Sequence, residues 1–277
     1  MIKKALCIGN ANYPGRNALK NPANDATDLA NKLDILGFSC MVLTDADAKT
    51  MDEALQDFAS SLCGAEVGLF FYAGHGMQIE GDNYLTAINS DFRTERNAKF
   101  SSLRLDKIID ILEKGDNATS IIILDACRDN PFEHLWGRGS KALGLAPVYA
   151  PKGTIIAFAT SPGEIALDGT GSNGLFTGAL LQHIDKQNVT IEDLFKRVRN
   201  TVSAATSGKQ TSWEHTSLMG DFYFNLSSIT GDYVAQYSSQ AKADSRFRLT
   251  TGPLKEIIDG LKSHSWYGQN PPGSIHP

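Results

Sequence analysis

Five short, strongly apolar runs, separated by helical patterns, limit what this chain can fold into. The runs are Ala5–Ile8, Cys40–Leu43, Val67–Tyr72, Ser120–Leu124 and Thr154–Ala159. Runs this apolar are typical of strands that are covered on both faces, as in a parallel sheet. The sequence therefore predicts an α/β fold built on a largely parallel sheet.

Helical patterns fill the segments between these runs. Asn24–Gly37 carries apolar residues on one helical face and ends at a glycine suited to the position after a helix. Four further helices are predicted at Lys49–Leu62, Leu103–Glu113, Gly174–Asp185 and Ile191–Ala204. The last follows Thr190, with Asp193 three residues on, in a relative of the capping box. The aromatic triplet Phe222–Phe224 predicts one further strand.

The composition of the chain changes near residue 225. With 277 residues, 42% of them apolar and 21% charged, the chain can bury one sizeable core. Residues 226–277 are rich in Ser, Gly and Pro. We therefore expect a main domain over 1–225 and a C-terminal extension over 226–277. The sequence leaves open whether this extension packs on the sheet or is partly disordered.

Charge and cysteine content narrow the classes of function. The net charge of -5 comes without a block of like charge, which argues against nucleic-acid and anionic-membrane partners. No stretch approaches the roughly 18 apolar residues of a membrane span. Four scattered cysteines without a CxxC pair predict a reducing, cytoplasmic location. Cys7, Cys40 and Cys63 lie in apolar segments, which is typical of buried, inert thiols, whereas Cys127 does not.

Two of the predicted strands run out into reactive side chains. In Leu69–Gly76, an apolar run leads to His75, which lies between two glycines; in Ile121–Asp129, another leads to Cys127, which has charged residues nearby on both sides. In doubly wound sheets, functional groups gather beyond the carboxyl ends of the strands. A satisfied loop His or a buried Cys would be the ordinary reading of either residue alone. Together they indicate a thiol activated by an imidazole.

The spacing and context of these two residues connect the sequence to a known family. His75 and Cys127 are 52 residues apart, close to the roughly 50 noted for caspases. Four motifs occur in the family's order, namely Ile8–Tyr13, Leu19–Asp25, Tyr72–Gly76 and Leu124–Arg128. Over residues 3–225 the sequence resembles the caspase-like superfamily of cysteine peptidases (clan CD), most of all the paracaspases and bacterial orthocaspases. The resemblance implies a caspase–haemoglobinase fold, with a largely parallel six-stranded sheet and helices on both faces.

The resemblance also implies roles in catalysis. Cys127 would be the nucleophile and His75 its base, and the backbone N–H groups of Gly76 and Cys127 would form the oxyanion hole. No third member of a triad can be assigned from the sequence. Such a reaction needs no cofactor and no metal. Some metacaspases are activated by calcium, which loop acids such as Asp82 and Asp91 could bind, but paracaspases are not, and we expect no calcium site.

Substrate preference follows from three further positions. In paracaspases, acids matching Asp25, Asp125 and Asp168 line the pocket for the substrate residue before the scissile bond. An acidic pocket predicts protein or peptide substrates cleaved after Arg, or less well Lys, and not after Asp. Each acid also has an ordinary structural interpretation. Asp25 suits the first turn of a helix and Asp168 a solvated loop, while Asp125 follows four apolar residues and needs a partner.

Self-processing and a non-catalytic alternative complete the sequence-based predictions. The segment Asn130–Lys152 contains Gly, Pro and basic residues, and we predict self-cleavage after Arg138 or Lys141.

The main alternative to a peptidase is a catalytically inactive, caspase-like interaction module, because a fold alone does not confer activity. A flavodoxin-like ligand-binding domain is disfavoured, since no Gly-rich phosphate loop follows the first strand. The sequence does not indicate the oligomeric state.

Overall fold

The computed structural model describes residues 1–115, 117–126, 145–146, 148–161, 166–167, 169 and 171–227. Residues Met1–Leu226 form one compact unit. The domain boundary near residue 225 stays a prediction, because nearly all of 226–277 lies outside the described residues. Within the part of the chain that is described, no helix combines the length and apolar character needed to cross a membrane.

Nine strands and six helices organise the described residues. The strands are β1 Lys3–Gly9, β2 Phe38–Thr44, β3 Val67–Gly74, β4 Gly76–Ile79, β5 Asp82–Thr86, β6 Ser102–Arg104, β7 Thr119–Ala126, β8 Thr154–Phe158 and β9 Trp213–Thr216. The helices are α1 Pro22–Ile35, α2 Ala48–Ser61, α3 Glu95–Phe100, α4 Leu105–Lys114, α5 Leu175–His183 and α6 Ile191–Ala205. A single 3-10 turn, Gly15–Asn17, precedes α1.

The main sheet has six strands in the order β2-β1-β3-β7-β8-β9. The first five are parallel, and β9 pairs antiparallel with β8. This arrangement confirms the predicted α/β class and the largely parallel six-stranded sheet. A separate antiparallel sheet, β4-β5-β6, follows His75.

Helices cover both faces of the main sheet, as the uniformly apolar strands predict. Residues of β3 alternate between the faces. Leu69 and Phe71 belong to the core cluster that contains the buried sides of α1, α5 and α6. Phe70 and Tyr72 belong to the cluster that contains those of α2 and α4. Because every residue of β3 is buried, this strand is fixed from both sides.

The five apolar strands and the five helices predicted from the sequence form, with ends within about two residues of the predicted ones. The strand predicted at Phe222–Phe224 is wrong. Only Tyr223 makes an isolated bridge, to Thr190, while the two phenylalanines are buried against the core. The sheet edge is instead β9, which has no buried residue to mark it.

The cysteines depart from expectation at one position. Cys7 is buried on β1 and Cys40 is half-buried on β2, but Cys63 is exposed. Cys63 directly follows Leu62, the residue that caps the C-terminus of α2. The apolar pattern therefore ends at Leu62, one residue before this thiol. The sequence-based prediction that Cys63 is buried in the core is wrong.

Candidate active site

The backbone at the end of β3 is held in a conformation that favours glycine. Gly74 has φ +151°. A methyl group at Gly74 would lie 2.6 Å from the hydroxyl of Tyr72 and 2.7 Å from that of Tyr13. Because neither contact is sterically possible, a glycine at this position lets the chain pass close to both hydroxyls and turn into His75.

The imidazole of His75 is buried and oriented, with 6% of the residue exposed. Its Nε2 lies 2.8 Å from the carbonyl oxygen of Asn17. A carbonyl oxygen only accepts, so the neutral ring carries its proton on Nε2, and Nδ1 is the basic nitrogen. The ring of Tyr13 packs on the imidazole with centroids 4.6 Å apart. The side chain of His75 therefore has a defined tautomer and a fixed orientation.

Two tyrosines hold the backbone of His75. Its N–H donates to the hydroxyl of Tyr13 at 3.2 Å. The hydroxyl of Tyr72 lies 2.9 Å from the His75 carbonyl oxygen and 2.8 Å from that of Thr86, two acceptors for its proton. The two hydroxyls are 3.1 Å apart. Burial raises the pKa of both tyrosines, so these groups act as neutral hydrogen-bonding partners.

Two carboxylates converge at the N-terminus of α5. Asp25, on α1, is 2% exposed and accepts from the N–H of Gly174 at 3.0 Å. Asp125, on β7, is half-buried and accepts from Thr177, at 3.2 Å from the backbone N–H and 2.6 Å from the hydroxyl. The positive end of the α5 dipole and its N–H groups thus favour negative charge here. Asp125 has the polar partners that its position after four apolar residues requires.

The two acids lie on either side of Gly174. A methyl group at Gly174 would be 3.2 Å from Oδ2 of Asp125 and 3.3 Å from Oδ2 of Asp25. Burial, and then the charge of Asp125, raises the pKa of Asp25 from 3.8 to about 7. The hydrogen bond from Gly174 opposes this rise but does not cancel it. Asp25 and Asp125 therefore form an acid pair that a cation could stabilise.

A cleft connects the acid pair to the end of β3. It is lined by Leu19, Asn21, Pro22, Asp25, Gly74, Asp125, Ala166, Leu167 and Gly174. The register pairs Ala73 with Asp125 and Gly74 with Ala126. The parallel register therefore brings the predicted base, one residue after Gly74, to the same sheet edge as the acid pair.

Gly76, the predicted oxyanion donor, lies beside the end of β7. A methyl group at Gly76 would be 3.3 Å from the side chain of Ala126 and 3.1 Å from that of Leu145. In the sequence, Cys127 directly follows Ala126. The structure thus brings together His75, Gly76 and the last residue before the predicted nucleophile.

Four predicted site residues, Cys127, Arg138, Lys141 and Asp168, lie outside the described residues. Their roles stay predictions. No group of three or more His, Cys, Asp or Glu side chains that could hold a metal ion occurs in the described ranges. Asp82 pairs with Arg104 at 3.6 Å, and Asp91 pairs with Arg93 at 2.6 Å.

Comparison with known proteins identifies the family. The family model described as the caspase domain matches residues 2–223, most of the chain. The chain belongs to the caspase-domain family of cysteine peptidases. The family resemblance predicted from the four sequence motifs is therefore confirmed.

Two curated relatives of this caspase domain are 30% identical to it over 128 residues. They are the human mucosa-associated lymphoid tissue lymphoma translocation protein 1 and its mouse homologue. The alignments cover 46% of this chain and only 15% of each relative. The caspase domain thus matches a small part of much longer proteins.

Solved caspase structures share the fold. The Drosophila initiator caspase Dronc aligns with a TM-score of 0.59 at 15% identity, over 80% of this chain and 83% of its own. Caspase-1 from Spodoptera frugiperda aligns with a TM-score of 0.60 at 16% identity, over 82% of this chain and 91% of its own. At these identities the likeness is one of fold.

Sequence reasoning missed several contributors to this caspase-domain site. Asn17 acts through its backbone carbonyl, so its residue type gives no signal. Tyr13 ends a motif that was recognised, but its contact with His75 depends on the fold. Gly174 and Thr177 begin a correctly predicted helix, and only the packing of α5 shows that they contact the acid pair.

Proposed function

We propose that this caspase domain is a cysteine endopeptidase that hydrolyses peptide bonds after Arg, and less readily after Lys. The observation that carries the proposal is the acid pair, Asp25 and Asp125, in a cleft at the sheet edge where His75 lies. Two carboxylates match the forked donors of a guanidinium. They repel the carboxylate of an Asp substrate.

Catalysis would begin with transfer of the Cys127 thiol proton to Nδ1 of His75. The thiolate sulfur then attacks the scissile carbonyl carbon, and the imidazolium returns the proton to the leaving amine. Water hydrolyses the resulting thioester and restores the thiol. The carbonyl oxygen of Asn17 lies 2.8 Å from Nε2 of His75, and it would stabilise the imidazolium by accepting a hydrogen bond from the Nε2–H group. The backbone N–H groups of Gly76 and Cys127 would bind the oxyanion.

The position of Cys127 in this scheme is supported by covalent continuity. Consecutive Cα atoms are about 3.8 Å apart, and Ala126 lies against Gly76. Ala126, the last described residue before the proposed nucleophile, therefore lies beside both the proposed oxyanion donor and the end of β3. The thiol needs a nearby base because a free Cys is only slightly ionised at neutral pH.

Recognition of the substrate would use three acids, Asp25, Asp125 and Asp168. Burial and mutual repulsion disfavour full ionisation of the acid pair, as the raised pKa of Asp25 indicates. A bound guanidinium would offset that repulsion and hold both carboxylates ionised. A neutral or acidic side chain in the same cleft would leave them uncompensated, which is the basis of discrimination by polar pockets.

The proposal includes self-processing after Arg138 or Lys141, in a cytoplasmic protein that acts on proteins or peptides with a basic residue before the cleaved bond. Residues 226–277 would form an extension outside the peptidase domain. Mass spectrometry of purified wild type and of a Cys127→Ala variant tests the processing. Cleavage should occur only in the wild type, and an intact wild-type chain under turnover conditions would contradict it.

An inactive interaction module is the alternative, and alkylation of thiols separates the two. Cys127 should react with iodoacetamide faster than the exposed Cys63, which serves as an internal reference. The excess reactivity should disappear in His75→Ala. Equal reactivity of the two thiols in the wild type would favour the inactive module.

The central test is kcat/KM on matched peptides that differ only in having Arg, Lys or Asp before the scissile bond. We expect Arg above Lys, no measurable cleavage after Asp, and no activity in Cys127→Ala. Asp125→Asn should cost at least about 2–5 kcal/mol of transition-state stabilisation on the Arg peptide. Asp34→Asn, which removes an exposed carboxylate from the same helix as Asp25, is the matched control. Equal turnover of the Asp and Arg peptides would refute the pocket.

A further inference from the structure

Asn21 occupies the cap position of α1 without acting as a cap. Asparagine is among the preferred residues there, because its side-chain oxygen can accept from a backbone N–H of the first turn. In this chain the Asn21 side chain makes no such bond, and Pro22 follows it. The residue is only 1% exposed. Its amide is therefore buried without the contact that usually accounts for an Asn at this place.

The amide of Asn21 also lacks any other partner within the described part of the chain. Both Oδ1 and Nδ2 are buried and make no hydrogen bond there. Buried polar groups are almost always hydrogen-bonded, so an exception in a folded protein calls for an explanation. Asn21 lines the same cleft as Asp25 and Asp125, and that location suggests what its partner is.

We infer that Asn21 is a specificity-determining residue of this cleft, whose side-chain oxygen accepts a hydrogen bond from the guanidinium of a substrate Arg. The inference rests on the proposed function and extends it to a residue outside the three predicted acids. The side-chain oxygen of Asn21 has no donor within the described residues and gains one when Arg binds. A ligand that supplies the missing donor thereby gains affinity.

Donor counting indicates that Asn21 should distinguish Arg from Lys. A guanidinium presents five N–H donors in a plane, and an ammonium presents three from a single nitrogen. One oxygen of each acid already accepts from α5, namely Oδ1 of Asp25 and Oδ2 of Asp125. An extra acceptor on the α1 side therefore serves the larger donor set. The smaller set of Lys is more nearly satisfied by the carboxylates alone.

A neutral acceptor also suits the electrostatics of the cleft. Asp25 and Asp125 already repel each other across Gly174. A carboxylate at position 21 would add to that repulsion in the empty cleft. An amide oxygen adds hydrogen-bonding capacity without adding charge.

The test measures kcat/KM of the full chain on two peptides that differ only in Arg or Lys before the scissile bond. Asn21→Ala removes the acceptor, and Asn21→Ser replaces it with a shorter hydroxyl that is a good cap for α1 and maintains the fold. We expect each to lower the Arg value about tenfold or more, the usual effect of losing a hydrogen bond to a charged group. The Lys value should change much less, so the Arg-to-Lys ratio falls.

Two further variants make the result specific. Asn21→Asp retains an acceptor of the same size and should retain the preference for Arg. Asn24→Ala removes an exposed amide from the same helix, one bonded to the Ser172 carbonyl and outside the cleft. It should leave the ratio unchanged. Thermal unfolding of every variant separates loss of fold from loss of recognition.

The outcomes distinguish this inference from the function on which it rests. If the wild type prefers Arg but the ratio is the same in Asn21→Ala and Asn21→Ser, the inference is wrong and the proposed function stands. A parallel loss on both peptides would likewise assign Asn21 a structural role only. If the wild type cleaves neither peptide, both proposals fail.

Discussion

Replacing Asp25 by Asn should stabilise the protein at alkaline pH while it impairs recognition of Arg. Asp25 is buried beside Asp125, and its pKa rises from 3.8 to about 7. Between those two pH values the folded chain holds a proton on Asp25 that the unfolded chain has released. Raising the pH therefore favours unfolding over this interval, and the stability lost remains lost above it.

The size of the effect follows from the width of that interval. Each pH unit within it is worth about 1.4 kcal/mol, and Asp25 is already half ionised near pH 7, so wild-type stability should fall by roughly 2 kcal/mol between pH 5 and pH 7 on account of Asp25. Asn has no proton to lose, and its amide oxygen can still accept from Gly174. The variant should therefore gain about 3 kcal/mol over the wild type between pH 5 and pH 8.

Urea titrations of wild type and Asp25→Asn at pH 5, 6, 7 and 8 measure this difference in the free energy of unfolding. Asp34→Asn is the matched control, because Asp34 is exposed on the same helix. Its curve should parallel that of the wild type. If the wild type and Asp25→Asn run parallel from pH 5 to pH 8, the raised pKa of Asp25 is wrong. A variant that is less stable at pH 8 would refute the reasoning about burial.

Three further perturbations test the site. Gly174→Ala places a methyl group 3.2–3.3 Å from both carboxylates and should lower kcat/KM on Arg peptides about tenfold or more. The alkylation rate of Cys127 should not change, and an unaltered kcat/KM would show that Gly174 does not contribute to the pocket. Tyr13→Phe leaves the buried His75 N–H without its acceptor, so it should reduce the free energy of unfolding in urea by about 1–3 kcal/mol and lower kcat more than KM. Unchanged stability would show that the Tyr13 hydroxyl does not hold the His75 backbone. Inhibition by benzamidine, an amidinium probe, should strengthen as the pH rises through about 7, where Asp25 ionises. An inhibition constant that does not change from pH 6 to pH 8 would show that Asp25 does not bind the cation.

The main sheet could be predicted from the sequence because its inner strands β1, β3, β7 and β8 are largely buried on both faces. Burial of that kind requires uninterrupted apolar residues, which are easy to recognise. The small sheet was missed for the opposite reason. Its strands β4, β5 and β6 are three to five residues long and mix polar with apolar residues. The same limitation hid β9, whereas Phe222 and Phe224 are apolar because they pack on the core.

The choice of candidate site residues depended on residue type and on the family resemblance. His75 was singled out because it follows an apolar strand and is flanked by glycines, and Asp25 and Asp125 because they match acids of the paracaspases. The Asn17 carbonyl could not be foreseen, because every residue has one. Asn21 lies within a recognised motif, yet its significance comes from the absence of a bond that Asn usually makes at this position, and only the folded arrangement reveals that.

The register of β3 has a practical consequence for where this protein can be lengthened. β3 pairs with β1 on one side and with β7 on the other, without a break in either ladder. A residue inserted in β3 would move every following side chain to the opposite face of the sheet, and His75 would no longer have its present position at the sheet edge where the acid pair lies. The β4–β5 hairpin turns at Glu80 and Gly81, which are both exposed and have positive φ values. An affinity tag or a reporter peptide therefore belongs in that turn, where added length leaves the ladder that aligns the site intact.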